Sequence, residues 1–321
     1  MDARRNLLPL AALAAVLALA PFVLANDYYI NVLILCCLNA LIVMGLNLLI
    51  GYAGQVSLGH AAFFGLAAYT TAVLTTTLGL PIIAGIIGGV AVSALVAWVI
   101  AVPTLKLHGH YLAMATLGFG IIVSIVFNEA VNITGGPSGY VGIPRLALFG
   151  FRFDSDRSYY FLVAGVLLAA SLFAQRLIAS RTGRALRAIH VSESAAQAMG
   201  IDIARHKRFV FVLSAVYAGV AGTLYAHNLG FIAPSSFNFH FSVQLITMVV
   251  LGGMASIWGA VAGAFFLTSL PEFLRMFEEI DVVILGGILI ACMMFMPDGL
   301  AGAARGLTRR IRAWAGAVKR G

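Results

Sequence analysis

Charge is what this sequence has least of. Of its 321 residues only 10% are Asp, Glu, Lys or Arg, while 61% are hydrophobic; a soluble domain carries roughly a quarter charged residues. Mean hydropathy is +1.00. Too little polar surface remains to wrap a water-soluble domain of this length. That argues against a soluble enzyme, a nucleic-acid-binding domain and a disordered tail. Cysteine is scarce as well: Cys36 and Cys37 sit together in one apolar run and Cys292 in another. They show neither metal-ligand spacing nor a disulfide framework and read as small core hydrophobes. No phosphate cradle is present, because Lys106, Lys207 and Lys319 are the only lysines and none follows a glycine, as G-x-x-x-x-G-K-[ST] requires. A TVGYG-like filter and the arginine series of a voltage sensor are missing too.

What the sequence has is long apolar runs. A spanning helix needs about 20 apolar residues at 1.5 Å rise each. Candidate spans fall at 7–25, 29–50, 56–78, 82–102, 111–131, 159–178 and 209–229. The stretch 241–270 is too long for one span and divides at Gly252-Gly253; a last run covers 282–296. The alternating ten-residue segments of a membrane β-barrel do not appear. The expected fold is an all-α, polytopic transmembrane bundle of about ten spans, forming a single domain over residues 1–321.

The net charge of +8 follows the membrane rather than nucleic acid. Arg4 and Arg5, Lys106, the cluster Arg176, Arg181, Arg184, Arg187, Arg205, Lys207 and Arg208, and the tail Arg305, Arg309, Arg310, Arg312, Lys319 and Arg320 together hold sixteen of the 20 basic residues. Placing them all on the cytoplasmic side satisfies the positive-inside rule. Both termini are then cytoplasmic, the number of spans is even, and the acidic stretch Glu272, Glu278, Glu279 and Asp281 lies outside. The first span has a second reading as a signal peptide, with Arg4-Arg5, an apolar core and Val23-Leu24-Ala25. In the tail, 303–320, Leu307, Ile311, Trp314 and Val318 share one face among arginines, the pattern of an amphipathic helix on the inner leaflet.

Ionisable groups are nearly missing from the spans; Glu129, near an outer end, is the main exception. Ion-coupled carriers keep such groups at membrane depth. Any transport is therefore powered by another protein, or the chain is a passive channel for a small neutral solute. Two segments stand out. In NLLIGYAGQVSLGHAAFFGLAAY, residues 47–69, glycines interrupt a span boundary, and Gln55, Ser57 and His60 lie among them. It reads either as a tight turn into a close-packed helix or as a broken helix lining a translocation path. The path candidates are Asn47, Gly51, Gly54, Gln55, Ser57, Gly59 and His60. A similar glycine-rich stretch at 249–266 hints at an internal repeat. The second segment, 181–208, is basic yet contains Ala185, Leu186, Ile189, Ala195, Ala196 and Met199, with Gly200 as a C-cap. Apolar residues in a cytoplasmic loop need a burial partner, so a short helix here reads either as a solvated linker or as a plug for a groove on another protein.

Within that loop, Ser194-Ala195-Ala196, three residues, then Gly200 resembles the EAA…G coupling loop of ABC importer permeases. Ser194 stands where that pattern has Glu, Glu193 precedes it, and the trailing leucine-proline is missing. GYAGQVSLGHAAFFGLAAY (51–69), TGGPSGYVGIP (134–144), GRALRAI (183–189) and GVAGTLYAH (219–227) resemble the inner-membrane permeases of branched-chain amino-acid ABC importers, closer to the LivM-type than to the LivH-type subunit. The likeness runs from about residue 39 to 297. It implies a type II importer fold and a non-catalytic transport subunit of the bacterial inner membrane. It also implies a LivH-type permease partner, two ATP-binding subunits that hold ATP and Mg, and a periplasmic substrate-binding protein, with no cofactor in this chain. Coupling would fall to Arg184, Arg187, Glu193, Ser194, Ala195, Ala196 and Gly200. The loop 134–158, with Gly135, Gly136, Gly139, Arg145, Arg152 and Asp154, would receive the binding protein. Relatives of this kind also carry urea, short amides or aromatic acids, and nothing in these residues separates those cargoes from leucine, isoleucine or valine.

Overall fold

The computed structural model describes residues 3–23, 26–104, 107, 109–148 and 150–274, and beyond these only 286, 287, 290, 294 and 299–302. Among the described residues, twelve α-helices follow one another up to Leu274: α1 Ala3–Val23, α2 Asp27–Asn47, α3 His60–Ala72, α4 Ile82–Thr104, α5 His110–Glu129, α6 Val131–Thr134, α7 Asp156–Ala179, α8 Arg181–Val191, α9 Glu193–Ala198, α10 Ile203–Leu229, α11 Phe239–Gly252 and α12 Ile257–Leu274. α2 and α3 each run on into a five-residue π-helical turn, Leu48–Tyr52 and Val73–Thr77. Among the described residues, the strands are four two-residue pieces. β1 Tyr140–Val141 pairs antiparallel with β4 Phe231–Ile232, and β2 Ala147–Leu148 with β3 Phe151–Arg152.

Helix starts carry their own chemistry. Asn26, Ser180, Ser192, Asp202 and Asn238 stand just before α2, α8, α9, α10 and α11, and each side chain accepts a hydrogen bond from a first-turn N–H. Such caps satisfy donors that a helix leaves open.

α2 is the axis of the bundle. The most apolar 18-residue stretch within Asp27–Tyr52 is 83% buried, whereas the corresponding stretches of α4 and α5 are only 22% buried. α12, α10, α7 and α11 pack around α2, and α3, α4 and α10 form a second packed group. Polar side chains tie α2 to its neighbours: Asn39 donates to Thr268 at 2.9 Å, Asn31 donates to Asp156 at 2.7 Å, and Tyr28 bonds Glu272. Cys36 and Cys37 are buried on this helix, as expected of core hydrophobes.

The second group is held by small residues. Ser93 of α4, fully buried, donates toward the carbonyl of Phe63 on α3 at 3.3 Å and that of Ala215 on α10 at 3.1 Å. At Gly222 of α10 a β-carbon would collide with the Phe64 carbonyl of α3. Without a hydrophobic drive between helices in lipid, backbones that approach this closely supply the attraction.

Among the described residues, six helices are long and apolar enough to cross a membrane, against the ten spans expected of the whole chain. The difference has three sources. α1 contributes only a short apolar stretch, Pro9–Phe22, and α11 only Phe239–Gly252. The third expected span, 56–78, loses its first turn, because residues 54–59 are non-helical and α3 starts at His60. The last run, 282–296, lies almost wholly outside the described residues. So do Lys106, Arg275, the acidic residues after Glu272, Cys292 and the tail 303–320. The division of 241–270 at Gly252-Gly253 is present as the α11–α12 turn.

Gly222→Val drives α3 and α10 apart. Overpacking of this kind costs about 1–3 kcal/mol, so the melting temperature of the detergent-solubilised protein falls. Gly118→Ala, whose β-carbon meets nothing within 4 Å, leaves it unchanged.

Candidate functional site

Two interruptions of helix meet at one end of the bundle. The first follows α2. After the π-helical turn the chain leaves the helix, with Gly54 at φ 67°, and burial alternates: Gly54 and Val56 are exposed, whereas Gln55, Ser57 and Gly59 turn inward. Ser57 Oγ lies 3.1 Å from Nδ1 of His60, and Nε2 of His60 bonds Ser214 on α10. The start of α3 is capped from other elements: Leu58 N–H donates to Thr116 Oγ1 of α5 at 3.0 Å, and Ala61 N–H to Ser242 Oγ of α11 at 3.2 Å. Irregular backbone inside an apolar slab needs such partners.

The second interruption is the α11–α12 turn. Ala255 adopts φ 56°, uncommon for a residue with a side chain. Asn47 holds it: its Nδ2 donates to the Ser256 carbonyl at 2.8 Å, and its Oδ1 accepts from Ala255 N–H at 3.0 Å. Gly51 is required beside it, since a β-carbon there would collide with the Ala255 backbone. The two glycine-rich segments noted in the sequence are therefore in contact. Of the candidate path residues, Asn47, Gln55, Ser57 and His60 are all at least 97% buried. Asn47, Ser57 and His60 spend their polar atoms on protein partners, whereas both amide atoms of Gln55 find none.

The basic segment lies at the same end. It forms two helices rather than one, because Ser192 breaks the helix and caps the next. Leu186, Ile189 and Ala196 face inward and are buried; Arg184, Arg187, Ser194, Ala195 and Gly200 are exposed, and Glu193 is half-buried. Gly200 adopts φ 78° and ends α9, as a C-cap does. Glu193 pairs with the buried ammonium of Lys207 at 2.6 Å and ties α9 to α10. Val191 is 85% exposed and Met199 83%. His190 of α8 stands over Gly54, so this segment touches the first interruption directly.

At the opposite end, residues 131–154 form an ordered cap. Gly135, Gly136 and Gly139 turn with positive φ. Arg145 bonds the Asp154 carbonyl, and Arg152 and Asp154 are exposed. Sequence reading missed Thr116, Ser214, Ser242 and Tyr69. Their signal was slight: single hydroxyls inside apolar runs, without spacing to link them.

The family described as branched-chain amino acid transport system / permease component matches residues 28–293. The high-affinity branched-chain amino acid transport system permease protein LivM of Salmonella typhimurium is 34% identical over 91% of this chain and 74% of its own length. LivM of Escherichia coli K12 is 35% identical over 90% and 74%. LivH of Escherichia coli K12, the permease protein of the same name class, is 26% identical over 82% of this chain and 91% of its own. No solved structure matches.

Asn47→Leu leaves Ala255 N–H and the Ser256 carbonyl without their partner. Each stranded buried group costs about 1–3 kcal/mol, so the variant melts at a lower temperature in a detergent thermal-shift assay.

Proposed function

The chain belongs to the branched-chain amino acid transport system permease family, and on that premise we propose that it is the membrane-spanning permease subunit of an ATP-driven, binding-protein-dependent importer of branched-chain amino acids. It supplies no catalysis of its own. ATP and Mg are bound by two partner ATPase subunits in the cytoplasm. A second, LivH-type permease completes the membrane part, and a periplasmic protein delivers the cargo. The basic end of the bundle, with both termini, faces the cytoplasm of a bacterial inner membrane.

The observation that carries this reading is the α8–α9 segment. It offers two apolar side chains, Val191 and Met199, almost wholly to solvent, on a segment whose own apolar face is already buried. Exposed apolar groups of this kind mark a protein contact. A notch of about 490 Å³ between α9 and the start of α10, lined by Glu193, Gln197, Ile201, Asp202 and Lys207, gives that contact relief. The exposed Arg184 and Arg187 of α8 add positive charge to the segment. Ala195, Ser194 and Gly200 lie on the exposed side of this surface, and Ala196 anchors it from within. ATP-driven closure of the ATPase subunits pulls α8–α9. His190 against Gly54, and Asn47 against Ala255, pass that pull to both interruptions, where the path lies along 47–60. The exposed Arg152 and Asp154 of the opposite cap meet the binding protein, beside the turns at Gly135, Gly136 and Gly139 and the Arg145 bond that hold the cap in shape.

Uptake settles the class. Vesicles holding the whole complex accumulate leucine against a gradient only when ATP is supplied; equilibration without ATP would make the chain a passive channel. Val191→Asp combined with Met199→Asp abolishes ATP-driven uptake and co-purification of the ATPase subunits, while the chain still inserts and melts as the parent does. Ala196→Trp instead disrupts the segment itself, because Ala196 is only 3% exposed.

A further inference from the structure

One flank of the bundle is built for apolar surroundings. The most apolar stretch of α4 is only 22% buried, and Leu95, Trp98 and Val99 on it are exposed. Where α4 packs against α10, two hollows open side by side. One, of about 480 Å³, is lined by Trp98 of α4 and by Phe209, Val212, Leu213 and Val216 of α10, together with Arg205 and Arg208. The other, of about 340 Å³, is lined by Thr182 at the start of α8 and by Arg205, His206 and Phe209. Arg205 and Phe209 border both. The two hollows therefore make one site, a polar recess at the start of α10 and an apolar trough along it.

Helical spacing makes the trough a stripe. At 3.6 residues per turn, Arg205, Arg208, Phe209, Val212, Leu213 and Val216 fall on one side of α10, and eleven residues of rise carry the stripe about 16 Å from its cationic end. Ile203 and Lys207, which border the notch against α9, fall on the opposite side. A partner seated in that notch does not use this stripe.

Charge completes the site. Arg205, His206, Lys207 and Arg208 crowd the first two turns of α10, where the helix dipole disfavours cations. Among the described residues Lys207 has an ionic partner, Glu193 at 2.6 Å, whereas the two arginines have none. Asp202 spends Oδ1 on the backbone N–H of Arg205 at 3.0 Å, and Arg208 turns Nε to the carbonyl of Ala204 on its own helix at 3.3 Å. Both guanidinium forks keep donors to spare, and such forks grip phosphate oxygens in pairs. Trp98 stands about four residues above the last turn of α4, at the level where amphipathic rings mark the membrane surface. Two uncompensated cations at the head of an apolar trough match an anionic head group that carries an acyl chain.

We propose that the α4–α10 cleft binds an anionic phospholipid of the inner leaflet. Arg205 and Arg208 hold its phosphodiester, Thr182 and His206 meet the rest of the head group, and one acyl chain lies along Trp98, Phe209, Val212 and Val216. Basic pockets between spanning helices on the cytoplasmic side take such head groups. The lipid neutralises the start of α10 and so steadies the helix to which α9 is tied through Lys207. The site is independent of the cargo and of ATP.

The complete complex in neutral detergent is titrated with dioleoyl phosphatidylglycerol or dioleoyl phosphatidylcholine, and bound lipids are counted by native mass spectrometry. The parent holds one phosphatidylglycerol that the double variant Arg205→Gln, Arg208→Gln loses at the same concentration, while their counts of phosphatidylcholine are equal. Each single variant needs about fivefold more phosphatidylglycerol for the same occupancy, the value of one basic residue near an anionic surface. Val212→Trp fills the trough and loses the same lipid with both arginines in place. Equal counts of phosphatidylglycerol in the parent and the double variant overturn the proposal, as they do if another subunit covers the cleft. So does an unchanged count in Val212→Trp, because the trough then takes no chain. Displacement of the lipid by an equal concentration of glycerol phosphate overturns it as well, since the arginines would then serve a free phosphate.

Discussion

The carboxamide of Asn47 joins two breaks in helix that an apolar slab would otherwise penalise. Inside a bilayer each backbone N–H and C=O needs a protein partner, so an interruption is tolerated only where another element answers it. Asn47 answers the α11–α12 turn with one donor and one acceptor, at 2.8 and 3.0 Å. The irregular segment after α2 and the start of α3 are answered in turn by hydroxyls of Thr116 and Ser242. α2 carries Asn47 and has the most deeply buried apolar stretch of the long helices among the described residues. The clamp is therefore mounted on the most enclosed part of the bundle, and the broken segments are arranged around it.

Small residues make that arrangement dense enough to transmit movement. Gly51, Gly222 and Ser93 allow backbones of different helices to touch. Packed interiors yield little to compression and pass strain on. In the importer proposed above, a displacement of α8 reaches Gly54 through His190 and the α11–α12 turn through Asn47 at the end of α2. The ion pair between Glu193 and Lys207 adds α9 to the same body. The acid of this loop, Glu193, stands one position before Ser194 and is bound to Lys207 of α10.

The membrane part thus divides between groups that are fully spent and groups that are not. Ser57, His60, Ser214 and Asn47 are bonded to one another or to backbone and serve as structure. Gln55 and Tyr69 are equally buried but uncommitted. Both kinds looked alike in the sequence, as isolated polar residues among glycines and aromatics.

Several features of the chain were legible from its order of residues alone. Apolar runs of span length, separated by basic clusters, dictate a helical membrane bundle, because a bilayer accepts few other backbones. Asn238, Asp202 and Ser192 announce helix starts, and Gly252-Gly253 announces a break, since these are local preferences of single residues. The family likeness at 51–69 and 183–200 was equally local. Only the tertiary structure decided that Asn47 grips residues 208 and 209 positions away, that residues 54–59 are non-helical, and that the basic loop makes two helices and leaves the large apolar side chains of Val191 and Met199 exposed. It alone separated Gln55 from Ser57. Whether a polar group is spent depends on what packs against it from distant parts of the chain, and no hydrophobic period or motif spacing records that.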